Sequence, residues 1–403
     1  MNSSTISKTS KYATLPIFFA FLCMGFGDVV GPMVSLAKNT FSLSNIMAQL
    51  LPLSGFIMFG LLSIPIGVYQ DKKGKKFILI LGLIIAFIGL IIPVFNGMYG
   101  PAIEITASDA NKYYIVLISI LMLGAGATIL QVAGNPIMRD VSAEGRYSSN
   151  LSLAQSIKAI GSSMGFLLPP FVVAAFGLDW SILFPIYAIL ILITLIWVNS
   201  VKINERDKEK SKPATIKSCF KLLGNGYVIS MVLGIFLYVG AEVSMSSGVP
   251  ILLTEMYGIK DLELLVAWLL FFMPILIGRF TGSAILRVIK PRNFLILTVF
   301  IAIIGILLIF VQNITLAYIG IVMVGLGFAN IFPLIFSITV DRMPERSNEL
   351  SGLMVTAIVG GALIPVVWGA VADNFSVLWA FAVPLICILY IAVISFRKSL
   401  KTA

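Results

Sequence analysis

Lys158 lies in SSNLSLAQSIKAIGSSMGFLLPP, residues 148–170, a stretch otherwise apolar enough to cross a bilayer. An ammonium near the centre of such a helix costs roughly 2.5–3.5 kcal/mol to insert, so it must face protein or water and find a partner. Two readings are open: the amine snorkels to an interface, or it stands on the path of a ligand or ion. Two carboxylates sit in comparable surroundings, Asp28 in GFGDVV and Glu242 in VGAEVS. The chain has no histidine, so proton transfer falls to these acids or to Lys158. Asp28 lies somewhat past the middle of its segment, and at ~1.5 Å per residue its depth is within side-chain reach of Lys158. Alone, each group would shift towards neutrality; paired, both stay charged at a cost in desolvation. The expectation is that Asp28 and Lys158 pair in one state and part in another, protonation or hydration of Asp28 freeing the amine for a ligand hydroxyl or carboxylate. The alternative is a permanent internal cation standing in for a bound ion.

Gln131, Asn135, Gln155 and Asn330 are uncharged amides in apolar segments, and an amide supplies both donors and acceptors to a polyhydroxylated ligand. Gln155 is one turn from Lys158 and shares its face. The competing reading is interhelical hydrogen bonding, and Asn135 and Asn330, each followed by a proline within three residues, could equally serve broken backbone. Glu242 reads either as a second protonation site or as a structural partner. Arg279, near the inner end of its segment, is expected to pair with carboxylates of a cytoplasmic gate. Trp268, Phe271 and Phe272 could stack on a ligand, although aromatic belts at the interface explain such residues as well. Cys23, Cys219 and Cys387 show no disulfide or metal spacing and read as free thiols; no cofactor is implied.

The elements that must hold these residues follow from composition. Of 403 residues, 59% are hydrophobic and 11% charged, with a mean hydropathy of +1.03; no soluble core needs so much apolar surface. Segments of about 20 apolar residues fall at 13–37, 44–69, 77–97, 113–138, 150–175, 180–200, 227–253, 264–289, 294–311, 315–340, 350–372 and 376–396. The fold class is therefore an all-α membrane protein of twelve transmembrane helices. Most cations fall on the side of the N-terminus: Lys72, Lys73, Lys75 and Lys76, the central loop, the turns after helices four, eight and ten, and the C-terminal tail. Lys38, Lys112 and Lys260 lie opposite. This places both termini in the cytoplasm. The net charge of +10 is thus a topology signal, and no soluble basic face is left for nucleic acid. The first helix reads as retained, since MNSSTISKTSK has no cleavage pattern of its own.

The polar run from Lys202 to Lys221 divides six helices from six, giving an N-terminal bundle 1–200, a cytoplasmic linker 201–225 and a C-terminal bundle 226–403. Three pairs of segments match across this divide in order: Gly124 and Gly126 with Gly325 and Gly327, Lys158 with Thr356, and Asp28 with Glu242. Such matches suggest duplicated halves, as in secondary carriers.

Between the second and third helices, Gly67, Asp71, Lys72, Gly74, Lys75 and Lys76 form G-x-x-x-D-K-x-G-K-K. Gly67 would permit close helix approach, Asp71 could cap or pair at neighbouring helix ends, and the lysines fix the turn inside; together they read as a cytoplasmic gate. The spacing resembles the signature loop of the major facilitator superfamily. Further strings narrow the likeness: Asp28 with Pro32, LQVA with Asn135 and Pro136, Leu153 to Gln155, FLYVGAEVS, Gly278 to Gly282, GLGFANIFP and AIVGGALIP followed by Asp373. They resemble the fucose and glucose/galactose symporter family. That resemblance implies a two-bundle, alternating-access fold, a small-molecule hexose substrate, and a coupling proton or other cation. The chain departs from the family at three places. Gln131 stands where the fucose branch has a proton-coupling glutamate, Lys158 where asparagine is usual, and Phe272, Met273 and Pro274 where tryptophan precedes small residues.

A cation-coupled monosaccharide importer, working as a monomer in the lipid bilayer, is the leading expectation. A carrier of an acidic sugar or small organic anion, with Lys158 opposite the carboxylate, and an uncoupled sugar uniporter remain as alternatives. An enzyme would need a nucleophile with its base or a metal cluster, and the sequence offers neither. A sensor would usually carry an appended soluble domain.

Overall fold

The computed structural model describes residues 3–101, 110–141, 147–203, 215–260, 262–286, 289–343 and 346–396. Among these, twelve helices are long and apolar enough to cross a membrane: Thr14–Phe41, Asn45–Gln70, Lys75–Phe95, Asn111–Gly134, Leu153–Phe176, Trp180–Ser200, Gly226–Tyr257, Glu263–Gly282, Pro291–Ile309, Ile314–Thr339, Gly352–Asn374 and Val377–Ser395. They are called the first to twelfth spans below. Helices are the economical answer to a medium without water, because each satisfies its backbone groups internally.

Contacts group residues 1–29 and 61–214 into one compact unit, and 30–60 and 215–403 into another. This grouping differs from a division at 201–225 in one segment: the end of the first span and the start of the second belong with the C-terminal helices.

In the first unit, glycines bring backbones together. A Cβ built at Gly126 on the fourth span would stand 2.8 Å from the Ala86 nitrogen on the third. Phe26 stacks on Tyr187 of the sixth span with centroids 4.1 Å apart. Lys76 donates to the carbonyls of Asn199 and Val201 at 2.9 and 2.8 Å, where a cation complements exposed carbonyls at a helix C-terminus. Gly74, at φ 91°, makes the turn between the second and third spans.

In the second unit, Gly327 packs on Ala302 as Gly126 does on Ala86, a Cβ standing 2.7 Å from the Ala302 nitrogen. The segment 30–60 is fastened to the far end of the seventh and eleventh spans. Lys38 pairs with Glu255, Gln49 donates to Ser247 at 3.2 Å, and Asp373 accepts from the Asn45 and Ile46 backbone N–H groups at 2.9 and 2.7 Å.

Several spans depart from α-helical geometry within their length. The first has a 3-10 stretch at Gly25–Val29 and the eleventh one at Ala357–Val359. The eighth has a π turn at Trp268–Phe272, just before Pro274, which lacks the N–H that the carbonyl four residues back would otherwise receive.

Candidate functional site

The first unit assembles one charged site from three spans. Lys158 Nζ lies 3.0 Å from Asp28 Oδ2 and donates to Gln131 Oε1 at 3.3 Å. Ser162 Oγ donates to Asp28 Oδ2 at 3.0 Å. The lysine side chain is 15% exposed and the aspartate 30%, so the amine faces protein and does not snorkel. Two of its three N–H groups are engaged by these acceptors, leaving capacity for one more.

Backbone geometry holds this pair. The first and fifth spans meet at Gly25 and Gly161: a Cβ at Gly25 would overlap the Lys158 carbonyl oxygen and stand 2.8 Å from the Ser162 nitrogen. The 3-10 stretch then turns Asp28 towards the fifth span. From Cys23 to Ser35 every residue is buried except Asp28. The carboxylate is therefore the one opening in that length of helix, and its buried neighbours a turn away on either side exclude a lipid-facing explanation.

The second unit repeats this design with another base. From Tyr238 to Leu253 every residue is buried except Glu242. Arg279 Nη2 lies 3.3 Å from Glu242 Oε1, with side chains 29% and 23% exposed. The arginine expected at a cytoplasmic gate thus bonds to Glu242, supplying the partner that the seventh span by itself does not show. Tyr238, one turn earlier, donates to the Phe328 carbonyl at 2.8 Å.

The other candidates separate. Gln155 is half-buried on the Lys158 helix and engaged in contacts. Asn330 donates to the Gly278 carbonyl at 2.8 Å and fills the space where a Cβ at Gly282 would stand, so its amide ties the tenth span to the eighth. Gly67 does not mediate close helix approach: a Cβ there would meet nothing within 4 Å among the described residues. Lys72 is exposed, Lys75 half-buried. The side chains of Asn135 and Asp71, like Cys219, lie outside the described residues; Cys23 and Cys387 are buried free thiols. Two participants escaped the sequence reading, Ser162 and Gly25. Ser162 is one turn beyond Lys158, the same spacing that singled out Gln155 one turn before it.

The profile of the Major Facilitator Superfamily matches residues 17–362. The chain belongs to this superfamily. Its relatives include a glucose/galactose transporter of Brucella abortus, 27% identical over 96% of this chain and 93% of that protein. An L-fucose-proton symporter of Haemophilus influenzae is 24% identical over 98% and 99% respectively. Among solved structures, the superfamily transporter FucP in its outward conformation superposes with a TM-score of 0.67 at 20% identity, covering 94% of this chain and 97% of that one. These relatives fall in the branch that the sequence strings resemble. The protein is a multi-pass membrane transporter of this superfamily, not an enzyme.

Proposed function

We propose that the protein imports a monosaccharide, a hexose such as glucose, galactose or fucose, by proton-coupled symport with alternating access. Both termini lie in the cytoplasm, and the halves 1–200 and 226–403 are joined by the linker 201–225. The observation that carries the reading is the Asp28–Lys158 pair at 3.0 Å, half-open in an otherwise buried helix. Asp28 is the proton acceptor. While ionised it holds the ammonium; once protonated it exerts no Coulombic pull, and Lys158 turns its free hydrogen-bonding capacity to a sugar hydroxyl. Gln131 and Gln155 offer amides to the same ligand from either side of the lysine. The names of the relatives support the substrate class, since those proteins are described as glucose/galactose and L-fucose transporters.

The test is uptake of D-glucose, D-galactose and L-fucose into proteoliposomes under an imposed pH gradient. Wild-type protein should accumulate one of these sugars when the outside is acidic. Asp28→Asn should still exchange sugar for sugar yet no longer concentrate it. Uptake indifferent to the gradient in wild type, together with normal transport by Asp28→Asn, would reject coupling through this pair and favour a uniporter with a built-in cation. Including D-galacturonate tests the acidic-sugar reading, in which Lys158 faces the ligand's carboxylate.

A further inference from the structure

The seventh span poses a problem that the coupling pair does not solve. A second acid–base pair sits inside the membrane, in the second unit, and coupling through Asp28 makes no use of it. Breaking a buried ion pair is costly, and keeping one is no net gain unless each partner is well bonded. A purely structural pair would be expected to close itself off from water. This one does the opposite. In the sixteen-residue stretch from Tyr238 to Leu253, Glu242 is the sole residue with appreciable exposure, and Arg279 opposite it is 29% exposed. Residues 238, 239, 245 and 246, the nearest above and below on the same helix face, are all buried. The accessible surface of the carboxylate is therefore bounded above and below by buried residues of its own helix.

We infer that Glu242 and Arg279 form a clamp for two adjacent hydroxyls of the transported sugar, and that they determine which hexose is carried. The inference rests on the sugar-carrier reading above. The chemistry matches on both sides. A carboxylate accepts only and a guanidinium donates only; each sugar hydroxyl can do either. With Oε1 and Nη2 3.3 Å apart, an acceptor and a donor stand side by side, about as far apart as neighbouring hydroxyls on a pyranose ring. The guanidinium has five N–H groups in a planar fork, so donating to Glu242 leaves others for a ligand. The surroundings are rigid. Tyr238, one turn from Glu242, is anchored to the Phe328 carbonyl. Phe328 in turn packs edge-on against Tyr238 and Phe271. Asn330 locks the backbone at Gly278, the residue before Arg279. A site of this kind discriminates by leaving its own polar groups unpaired when a hydroxyl is missing or inverted.

Binding in detergent, followed by titration calorimetry with glucose, galactose, fucose and their monodeoxy analogues, tests the inference. The variants are Glu242→Gln, which keeps size and one acceptor, and Arg279→Lys, which keeps the charge. For the sugar that wild type binds, each variant should weaken affinity about ten- to a hundredfold, as loss of hydrogen bonds to a charged group does. One monodeoxy analogue should bind wild type correspondingly less, and the same deletion should cost the variants little, because the group that reads it is already gone. Thermal melting of each variant identifies any fold loss, and Arg279→Lys supplies a second readout should Glu242→Gln fail to fold. Equal affinities in wild type and both folded variants, with unchanged discrimination among deoxy sugars, would overturn the clamp while leaving the sugar-carrier reading intact. Absence of hexose binding by wild type would overturn that reading, and the clamp with it.

Discussion

Replacing Gly25 with alanine probes whether backbone contact sets the distance between Asp28 and Lys158. The added methyl would overlap the Lys158 carbonyl oxygen and stand 2.8 Å from the Ser162 nitrogen, whereas an ordinary contact needs about 3.5 Å. The first and fifth spans must then part by about 1 Å, since the obstruction is backbone and has no rotamer to yield. If the ion pair opens from 3.0 Å to about 4 Å, its Coulomb attraction at an effective dielectric of about 20 falls from about 5.5 to about 4 kcal/mol. That difference is roughly tenfold in the population of the paired state. Overpacking adds a separate stability cost of about 1–3 kcal/mol. The assay is hexose uptake into proteoliposomes with and without a pH gradient, alongside a thermal melt in detergent. Gradient-driven accumulation should drop about tenfold and the melting temperature should fall. Gly352→Ala, where a Cβ meets nothing within 4 Å among the described residues, serves as the control and should melt as wild type does. If Gly25→Ala keeps both the melting temperature and the accumulation ratio of wild type, backbone contact does not set the pair's geometry and the argument fails.

Two further outcomes follow from the geometry. Asp373→Ala removes the acceptor for the Asn45 and Ile46 N–H groups, at a cost of about 1 kcal/mol for a lost cap. Hydrogen exchange should quicken several-fold at residues 45–49 while the third and fourth spans are unaffected, and unchanged exchange there would mean that Asp373 does not hold this helix end. Asn330→Ala should lower the melting temperature, since it removes the hydrogen bond to the Gly278 carbonyl, worth about 0.5–1.5 kcal/mol; an unchanged melting temperature would mean that the amide does not tie the tenth span to the eighth.

The spans were legible because hydropathy reports position along the chain: the expected segment 180–200 is the observed sixth span, and the others lie within a few residues or at most about two turns. The Asp28–Lys158 pairing was legible for a related reason, since rise per residue converts sequence position into depth. Rotation about the helix axis was not. A span apolar on all sides carries no pattern to say which face turns inward, so Arg279 was assigned to a gate when it reaches Glu242, and Gly67 to a helix contact where a Cβ meets nothing within 4 Å among the described residues. Ser162 and Gly25 contribute through the neighbour they meet, and a single sequence does not show neighbours. The bonds of Asp373 to residues 45 and 46 join segments more than 300 residues apart, and nothing local announces them.

Asp28 and Glu242 match each other in the sequence alignment of the first and seventh spans, yet their cationic partners come from different directions. Lys158 rises from the fifth span, whereas its counterpart in the eleventh, Thr356, merely bonds back to the Gly352 carbonyl, and Arg279 arrives from the eighth. A guanidinium presents its donors in a rigid planar fork, whereas an ammonium is a compact charge on a flexible four-carbon stem. The two acids are thus held by unlike cations. One unit holds its carboxylate with a compact charge on a pivoting stem and the other with a flat fork of donors, so the matched acid meets a partner free to swing in one unit and a partner that turns only as a plane in the other.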